Sequence, residues 1–406
     1  MLAPGDARRV YAAALRVGPR GQETVPLLAA LGRALAADVV SAIDLPPFDR
    51  STVDGWAVRA PDTSAATSGQ PARLRRAGEV RMGAAAGLIL GPGGAVRIPT
   101  GGMLPEGADA VVMQEDADTQ GDVVLVRRAG RAGENVVAHG ADVRAGEAIL
   151  RRGRRLRAAD LGILAGVGLD QVDVFLPPRV AILATGDEVF PAGAPLAPGR
   201  VRDMNSPALA GAVLTAGGIP TLCGIVRDER SAVDEALRRA LIDHDMVLVS
   251  GGSSVGERDV AADAIGALGP PGVIVHGIAV RPGKPTVLAA AGAVPVIGLP
   301  GNPVSALVIF DLFARPVLDE MLGGNPASRP WALVRARLAA ALPAAGARED
   351  HRRVRLESRP DGLWARPLPA GSQILTSLVR ADGIVVVPAS SAGFIEGEDV
   401  EVRLIS

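Results

Sequence analysis

Apolar positions change their spacing several times along this 406-residue chain, and each change predicts a different kind of structure. Near the start the spacing is helical: Val10, Ala13, Ala14 and Val17 share one face of a helix that Asp6 can cap, and Leu27, Leu28, Leu31 and Leu35 line a second. From 46 to 139 the apolar residues come in short runs between Gly, Pro and Asp turns, as in AVRIPTGG, ADAVVMQED and GDVVLVRRAG. That texture predicts a small β domain. Helical spacing returns over 140–177, most clearly in RAADLGILAGVG, so that 1–45 and 140–177 together read as a discontinuous helical and linker region.

Residues 178–326 alternate strand and helix: RVAILATG, SPALAGAVLTAGG, TLCGIV, RSAVDEALRRALID, DMVLVS, a Gly-rich loop and helix, then VPVIGL, the loop PGNP and a helix from Val304 to Met321. Such alternation defines a doubly wound α/β domain, and the unbroken apolar strands predict a mostly parallel sheet buried on both faces. From about 327 onward WALVRARLAAAL, RVRLESR, GIVVVP and EDVEVRLI predict a separate C-terminal β module. The expected fold class is a multidomain α/β chain built on that central sheet. No internal repeat stands out.

Gly and Pro number 50 and 32, and aromatics only ten (three Trp, one Tyr, six Phe), so many turns and Gly-rich loops are expected. A net charge of −1 supplies no global field for a polyanion or an anionic membrane, which argues against a nucleic-acid partner and makes any anion binding local. The single cysteine, Cys223, rules out an intramolecular disulfide, and the four histidines have no zinc-ligand spacing; a reducing cytoplasm fits. Charges in MLAPGDARRVYAAALRV leave no export signal, and the uncharged run Pro285 to Phe310 is broken by Gly and Pro, so no membrane span is expected. Arg151, Arg152, Arg154, Arg155 and Arg157 have no interleaved aromatics and read as a solvated face.

Ligands of open α/β sheets bind beyond the carboxyl ends of the strands, so the chemistry is sought in those loops. DMVLVS ends in Gly251, Gly252, Ser253, Ser254, Val255 and Gly256 before a helix. Backbone N–H groups of such a turn make an anion cradle. Gly252 to Gly256 also spells GxSxG, which would make Ser254 a hydrolase nucleophile, but neither available histidine, His276 in an apolar strand or His351 in EDHRRVRL, lies on a suitable loop. Carboxylates gather at the other strand ends: Asp187 and Glu188, Asp203, Asp228, and Asp259. Acids beside an anion cradle require a hard divalent cation between them and the anion, which points to Mg²⁺ on a phosphoanhydride. Arg281 and Lys284 in AVRPGKP suit a phosphate or tetrahedral oxyanion, and LPGNPVSA offers Pro300, Asn302, Pro303 and Ser305 at a stiff helix start.

Together, LPPFDRSTVDGWAVR (45–59), RIPTGGMLPEGADAVVMQED (97–116), ATGDEV (184–189), VSGGSSVGERD (249–259), RPGKP (281–285) and LPGNPVSA (299–306) resemble the molybdopterin molybdenumtransferase family, MoeA, in order and over essentially the whole chain. The resemblance implies an elongated homodimer of four-domain subunits. It also implies a reaction in which adenylylated molybdopterin, Mg²⁺ and molybdate yield molybdenum cofactor and AMP, with contacts to molybdopterin adenylyltransferase and apo-molybdoenzymes. Carried over by motif, the catalytic set is Asp54, Thr100, Asp142, Glu188, Asp228, Asp259 and Lys284, with Mg²⁺ on Glu188, Asp228 and Asp259. Substrate would be held by Gly251, Gly252, Ser254, Gly256, Arg281, Lys284, Pro300, Asn302, Pro303 and Ser305, with Arg353 and Ser372 from the C-terminal module.

The chain departs from the family pattern N-x-R-x-x-G-E-D, reading NVVAHGAD, so Val137 stands in place of an arginine and Ala141 in place of a glutamate. That departure keeps open a non-catalytic scaffold like the related gephyrin E domain, or a specialised paralogue, and a further alternative to molybdenum insertion is molybdopterin adenylyltransferase, whose fold the 178–326 domain resembles.

Overall fold

The computed structural model describes residues 1–251, 260–324 and 331–405. In the small β region, six strands run in the order Ala110–Met113, Gly55–Val58, Gly94–Ile98, Ala72–Glu79, Val123–Val126 and Ala117–Gln120. Both faces are covered: Trp56 and Val58 pack with Leu74, Ala95 and Val124 on one side, Ala57 with Val80, Val96 and Ile98 on the other. Gly55 lets the neighbouring strand approach, since a Cβ there would lie 2.0 Å from the Val112 carbonyl oxygen.

The linker region is less helical than its spacing predicts. Leu27–Ala30 is one 3-10 turn, with Leu28 87% exposed and Leu31 55% exposed. Pro26 precedes the turn and Gly32, at φ 74°, follows it, and the flanking Gln22–Pro26 pairs instead with Gln171–Phe175 as antiparallel strands. Within 140–177 the helix is confined to Ala158–Gly166, which packs Leu164 against Leu35, Leu156 and Val174.

The first helix, Pro4–Ala14, buries Ala7 and Tyr11, with Leu15 just beyond it, rather than the expected face, and Val10 is 44% exposed. Asp6 lies in the first turn and pairs with Arg9 instead of capping. Two i,i+4 faces were available, and the one carrying the single tyrosine buries more area. Tyr11 Oη donates to the Ala289 carbonyl at 3.0 Å, so this helix joins the core of the central domain.

The central sheet has the order Ile219–Val226, Arg179–Thr185, Met246–Ser250, Val294–Leu299, Val287–Ala291 and Pro271–His276. The first four are parallel, Val287–Ala291 runs against them, and Pro271–His276 reverses again; Gly292 at φ 58° turns the chain directly from Val287–Ala291 into Val294–Leu299 with no crossover helix. Burial on both faces holds for the inner strands, whereas Ile219–Val226 is an edge that leaves Cys223 exposed. One face carries the helix Asn205–Ala216 and the continuous helical run from Pro303 to Met321, and the other carries Arg230–Asp243 and Val260–Gly266. Among the described residues no helix is long and apolar enough to cross a membrane.

In the C-terminal module, Glu349–Arg359, Gly362–Pro367, Leu333–Leu338, Asp399–Leu404 and Gly383–Val387 pair in sequence, and the last returns to the first, closing a five-stranded barrel around Leu338, Val354, Val385 and Val402. Closure removes free edges. Val280–Arg281 adds to its rim, parallel to Glu349 and Asp350, stitching the barrel to the loop that carries Lys284.

Candidate active site

The central strands end level with one another, since Ala184 is opposite Ser250 and Ser250 opposite Leu299. Gly251 then turns at φ +105°, where a Cβ would sit 2.3 Å from the Thr185 carbonyl oxygen, so only glycine allows the two strand ends to meet. Asn205 Nδ2 donates to Ser250 Oγ at 2.7 Å and to the Gly301 carbonyl at 2.8 Å, tying a helix start, a strand end and the PGNP loop together. The cavity under these loops, about 440 Å³, is lined by Thr185, Glu188, Asp203, Asn205, Gly251 and Pro303 among others. Asp203 is a local cap: its Oδ1 accepts from the Ser206 N–H at 2.9 Å.

Beside this cavity the acids are under electrostatic load. Burial first, then the charges of Asp187 and Glu188, push the Asp228 carboxyl above the ordinary aspartate range, against the pull of the Asp187 backbone N–H and the Thr185 hydroxyl. Among the described residues neither Asp228 Oδ1 nor Thr185 Oγ1, both buried, makes a hydrogen bond of good geometry. A partly buried carboxylate crowded by like charge, with one oxygen short of a well-formed hydrogen bond among the described residues, fits a divalent cation. Among the described residues no three His, Cys, Asp or Glu side chains converge closely enough to hold a metal by themselves. Asp259, the third expected ligand, lies outside the described residues, as do Gly252, Ser254 and Gly256 of the anion cradle.

A second cavity of about 410 Å³ adjoins the first and is basic, lined by Arg281, Lys284 and Arg348 together with Ser305 and Ser372. Pro285, Pro300, Asn302 and Gln373 line both cavities, so they form a common wall. Ser305 is buried on the first turn of the helix Pro303–Ile309, and Asn302 precedes that helix without a side-chain capping bond. Ser372 is held by its carbonyl, which accepts from the Val304 N–H at 3.1 Å.

Arg353 does not line either cavity, contrary to the expectation that it binds substrate. It is 2% exposed, and its guanidinium is spent on protein: Nε donates to Ser377 Oγ at 3.1 Å, Nη2 to the Pro369 carbonyl at 2.7 Å and to the Gly371 carbonyl at 3.3 Å. A buried guanidinium needs such acceptors, and supplying them here fixes the loop that carries Ser372 and Gln373. Arg348, Asn205 and Gln373 were not singled out in the sequence. Arg348 follows no motif and reaches Lys284 only through the strand pairing at the barrel rim. Asn205, at a helix start directly after a strand-end aspartate, carried a legible signal.

Asp54, Thr100 and Asp142 line neither cavity. Asp54 Oδ1 accepts from the Thr100 N–H at 2.7 Å and from Thr100 Oγ1 at 3.1 Å. The first of these bonds is the main reason that its exposed carboxyl lies below the ordinary aspartate range. Asp142 is exposed, with its N–H donating to the Leu45 carbonyl at 2.9 Å. Val137 pairs across two short strands with Arg50, which returns a cation to the neighbourhood where the arginine is missing.

The histidines leave no hydrolase triad among the described residues. His276 ends an edge strand exposed, not in the core, and His351 is buried in the barrel wall with Nε2 2.8 Å from Glu349 Oε1. The five arginines from 151 to 157 are not a purely solvated face either: they border a cavity of about 640 Å³, Arg154 pairs with Asp160 at 2.7 Å, and Arg155 donates to the Thr215 carbonyl at a helix end.

These features define a multidomain α/β protein whose central domain presents an acidic and a basic cavity side by side at its strand ends. Three family models match successive stretches: "MoeA N-terminal region (domain I and II)" over 3–168, "Probable molybdopterin binding domain" over 181–320 and "MoeA C-terminal region (domain IV)" over 335–405. The chain is 36% identical over 383 residues to molybdopterin molybdenumtransferase 2 of Mycobacterium tuberculosis, covering 93% of this chain and 94% of the relative. It is 36% identical over 386 residues to the molybdopterin molybdenumtransferase of a Nostoc species, covering 94% and 88%. A crystal structure of a molybdopterin biosynthesis MoeA protein from Pyrococcus horikoshii superimposes with TM-score 0.85 at 32% identity, covering 100% of both chains. The chain belongs to the MoeA family.

Proposed function

We propose that this protein is a molybdopterin molybdenumtransferase that inserts molybdate-derived molybdenum into adenylylated molybdopterin and releases AMP. The observation that carries the reading is the pair of cavities with a common wall, one lined by Glu188 and Asp203 with Asp228 as a neighbour of Glu188, and the other by three cations. A substrate joining a phosphoanhydride to a dithiolene has to present both halves at once, and the wall of Pro285, Pro300, Asn302 and Gln373 is where they would meet.

In this mechanism Arg281, Lys284 and Arg348 hold the molybdate dianion and orient it toward the dithiolene sulfurs. Glu188 and Asp228, with Asp259, would hold Mg²⁺, which when bound supplies positive charge against the departing phosphate. The loop anchored by Arg353 keeps Ser372 and Gln373 against the substrate, while Asn205 holds the floor of the acidic cavity. Asp54, Thr100 and Asp142 complete the cleft from the partner subunit of a homodimer and exclude water. The protein would act in the cytoplasm, receiving substrate from molybdopterin adenylyltransferase and passing product to apo-molybdoenzymes.

The test is AMP release from adenylylated molybdopterin at fixed Mg²⁺, with and without molybdate. Molybdate-dependent release, with a product that reconstitutes an apo-molybdoenzyme, is expected. ATP consumption with molybdopterin would instead make the chain an adenylyltransferase, and no turnover of either substrate would leave the scaffold.

A further inference from the structure

Asn205 opens the helix Asn205–Ala216, and one of its two amide contacts settles the direction of the other. The Gly301 carbonyl can only accept, so the nitrogen of the Asn205 amide, and not its oxygen, faces the PGNP loop at 2.8 Å. The same nitrogen lies 2.7 Å from Ser250 Oγ. An amide nitrogen only donates, so Ser250 Oγ is the acceptor of that bond and keeps its own proton for another partner.

Among the described residues nothing accepts that proton. Ser250 is 3% exposed at the end of the strand Met246–Ser250, one residue before the Gly251 turn, and it lines the acidic cavity. Glu188 and Asp203 line the same cavity, and neither takes a hydrogen bond from Ser250; Asp203 Oδ1 accepts from the Ser206 N–H instead. Thr185, at the end of the neighbouring strand, differs, because its hydroxyl already leans on the Asp228 carboxyl. A buried polar hydrogen is costly to leave without an acceptor, and one that the protein itself leaves free is available to a ligand oxygen. The position suits a ligand, past the carboxyl end of a central strand. So does the chemistry. An ammonium or guanidinium here would be drawn into ion pairs with the acids, whereas a hydroxyl stays neutral beside them and still donates to an anionic oxygen, which makes the stronger kind of hydrogen bond.

We propose that Ser250 binds the phosphate of the adenylyl half of the substrate through this proton, and that Asn205 is the positioning residue that aims it. The inference rests on the function proposed above and adds a substrate contact to the acidic cavity. The contact belongs to the adenylyl half alone, so it leaves the oxyanion in the basic cavity untouched.

The test is calorimetric titration of the full chain with AMP at fixed Mg²⁺ and, separately, with molybdate. The wild type is expected to bind both. Ser250→Ala, which removes a single oxygen, should weaken AMP about tenfold, the scale of a hydrogen bond to a charged group, and should leave molybdate affinity within about twofold and the melting temperature within a few degrees. In an Asn205→Ala background the same substitution should cost AMP no more than about threefold, because the hydroxyl is no longer aimed there. Unchanged AMP affinity in Ser250→Ala, or an equal loss of AMP and molybdate, overturns the proposal and leaves the proposed function standing. A tenfold cost in both backgrounds overturns the positioning role of Asn205. A wild type that fails to bind AMP or molybdate overturns the function on which the proposal rests, and the proposal with it.

Discussion

Asp54 and Asp228 are both aspartates carried over from family motifs, and the structure treats them in opposite ways. Asp54 is exposed and its charge is already answered, by the N–H and hydroxyl of Thr100, so its carboxyl lies below the ordinary range. Asp228 is partly buried, faces Asp187 and Glu188, has one oxygen short of a well-formed hydrogen bond among the described residues, and lies above it. A satisfied carboxylate holds its own loop in shape, whereas a crowded one is relieved by a proton or by a cation. Under the proposed function, the difference separates a residue that would shape a cleft from one that would recruit a metal.

Replacing the frustrated acid should have the larger effect. Asp228→Asn is expected to lower molybdate-dependent AMP release by at least about 100-fold, the scale of losing a preorganised electrostatic group. Mg²⁺ is expected to raise the melting temperature of the wild type, and this variant should abolish that rise. An undiminished Mg²⁺ effect in this variant would break the comparison at its metal end. Asp54→Asn should cost turnover only about tenfold while leaving the Mg²⁺ effect intact, consistent with lost positioning rather than lost charge stabilisation.

The pH dependence of the metal-free protein sharpens the contrast, because the two shifts have opposite signs. Asp228 has a raised folded pKa, so its contribution is fully present below the unfolded value and is lost as pH rises through the folded one. The melting temperature of Asp228→Asn should therefore gain on the wild type as pH rises from about 4 to 7, across and beyond the ordinary aspartate pKa of ~3.9. Asp54 has a depressed folded pKa, so its contribution is present above the unfolded value and is lost as pH falls through the folded one. The deficit of Asp54→Asn should accordingly shrink in acid. Parallel curves for the two variants would show that their environments do not differ.

The smallest effect is expected at Val137. Arg50 already sits across the strand pair, so Val137→Arg should raise turnover by no more than about threefold, comparable with an exposed charge pair. A gain of two orders of magnitude would mean that Arg50 does not replace the missing charge.

The parts of this fold that could be read in advance were those whose signal is local and redundant. Strands such as Arg179–Thr185 and Met246–Ser250 are unbroken apolar runs between turn residues, and no other structure buries them as well. The helix expected at Leu27 to Leu35 failed although its spacing was genuine, because the preceding Gln22–Pro26 is held as a strand against Gln171–Phe175 and Pro26 and Gly32 bound the single turn that remains. The first helix offered two periodic faces, and the core of the central domain took the one with Tyr11. Arg353 carried a legible positive charge but not a legible destination: the same side chain serves a substrate or a backbone depending on whether carbonyls such as those of Pro369 and Gly371 close around it.

By itself, the sequence determined the layered α/β centre, the loops at its strand ends and the residue types those loops display, because hydrophobic periodicity and turn chemistry act over a few residues. Only the tertiary structure decided that Arg348 of the barrel meets Lys284, that Pro285, Pro300, Asn302 and Gln373 form one wall between an acidic and a basic cavity, and that Asp228 is frustrated while Asp54 is not. Those outcomes depend on desolvation and on charges brought together from distant parts of the chain, and neither is a property of any segment read alone.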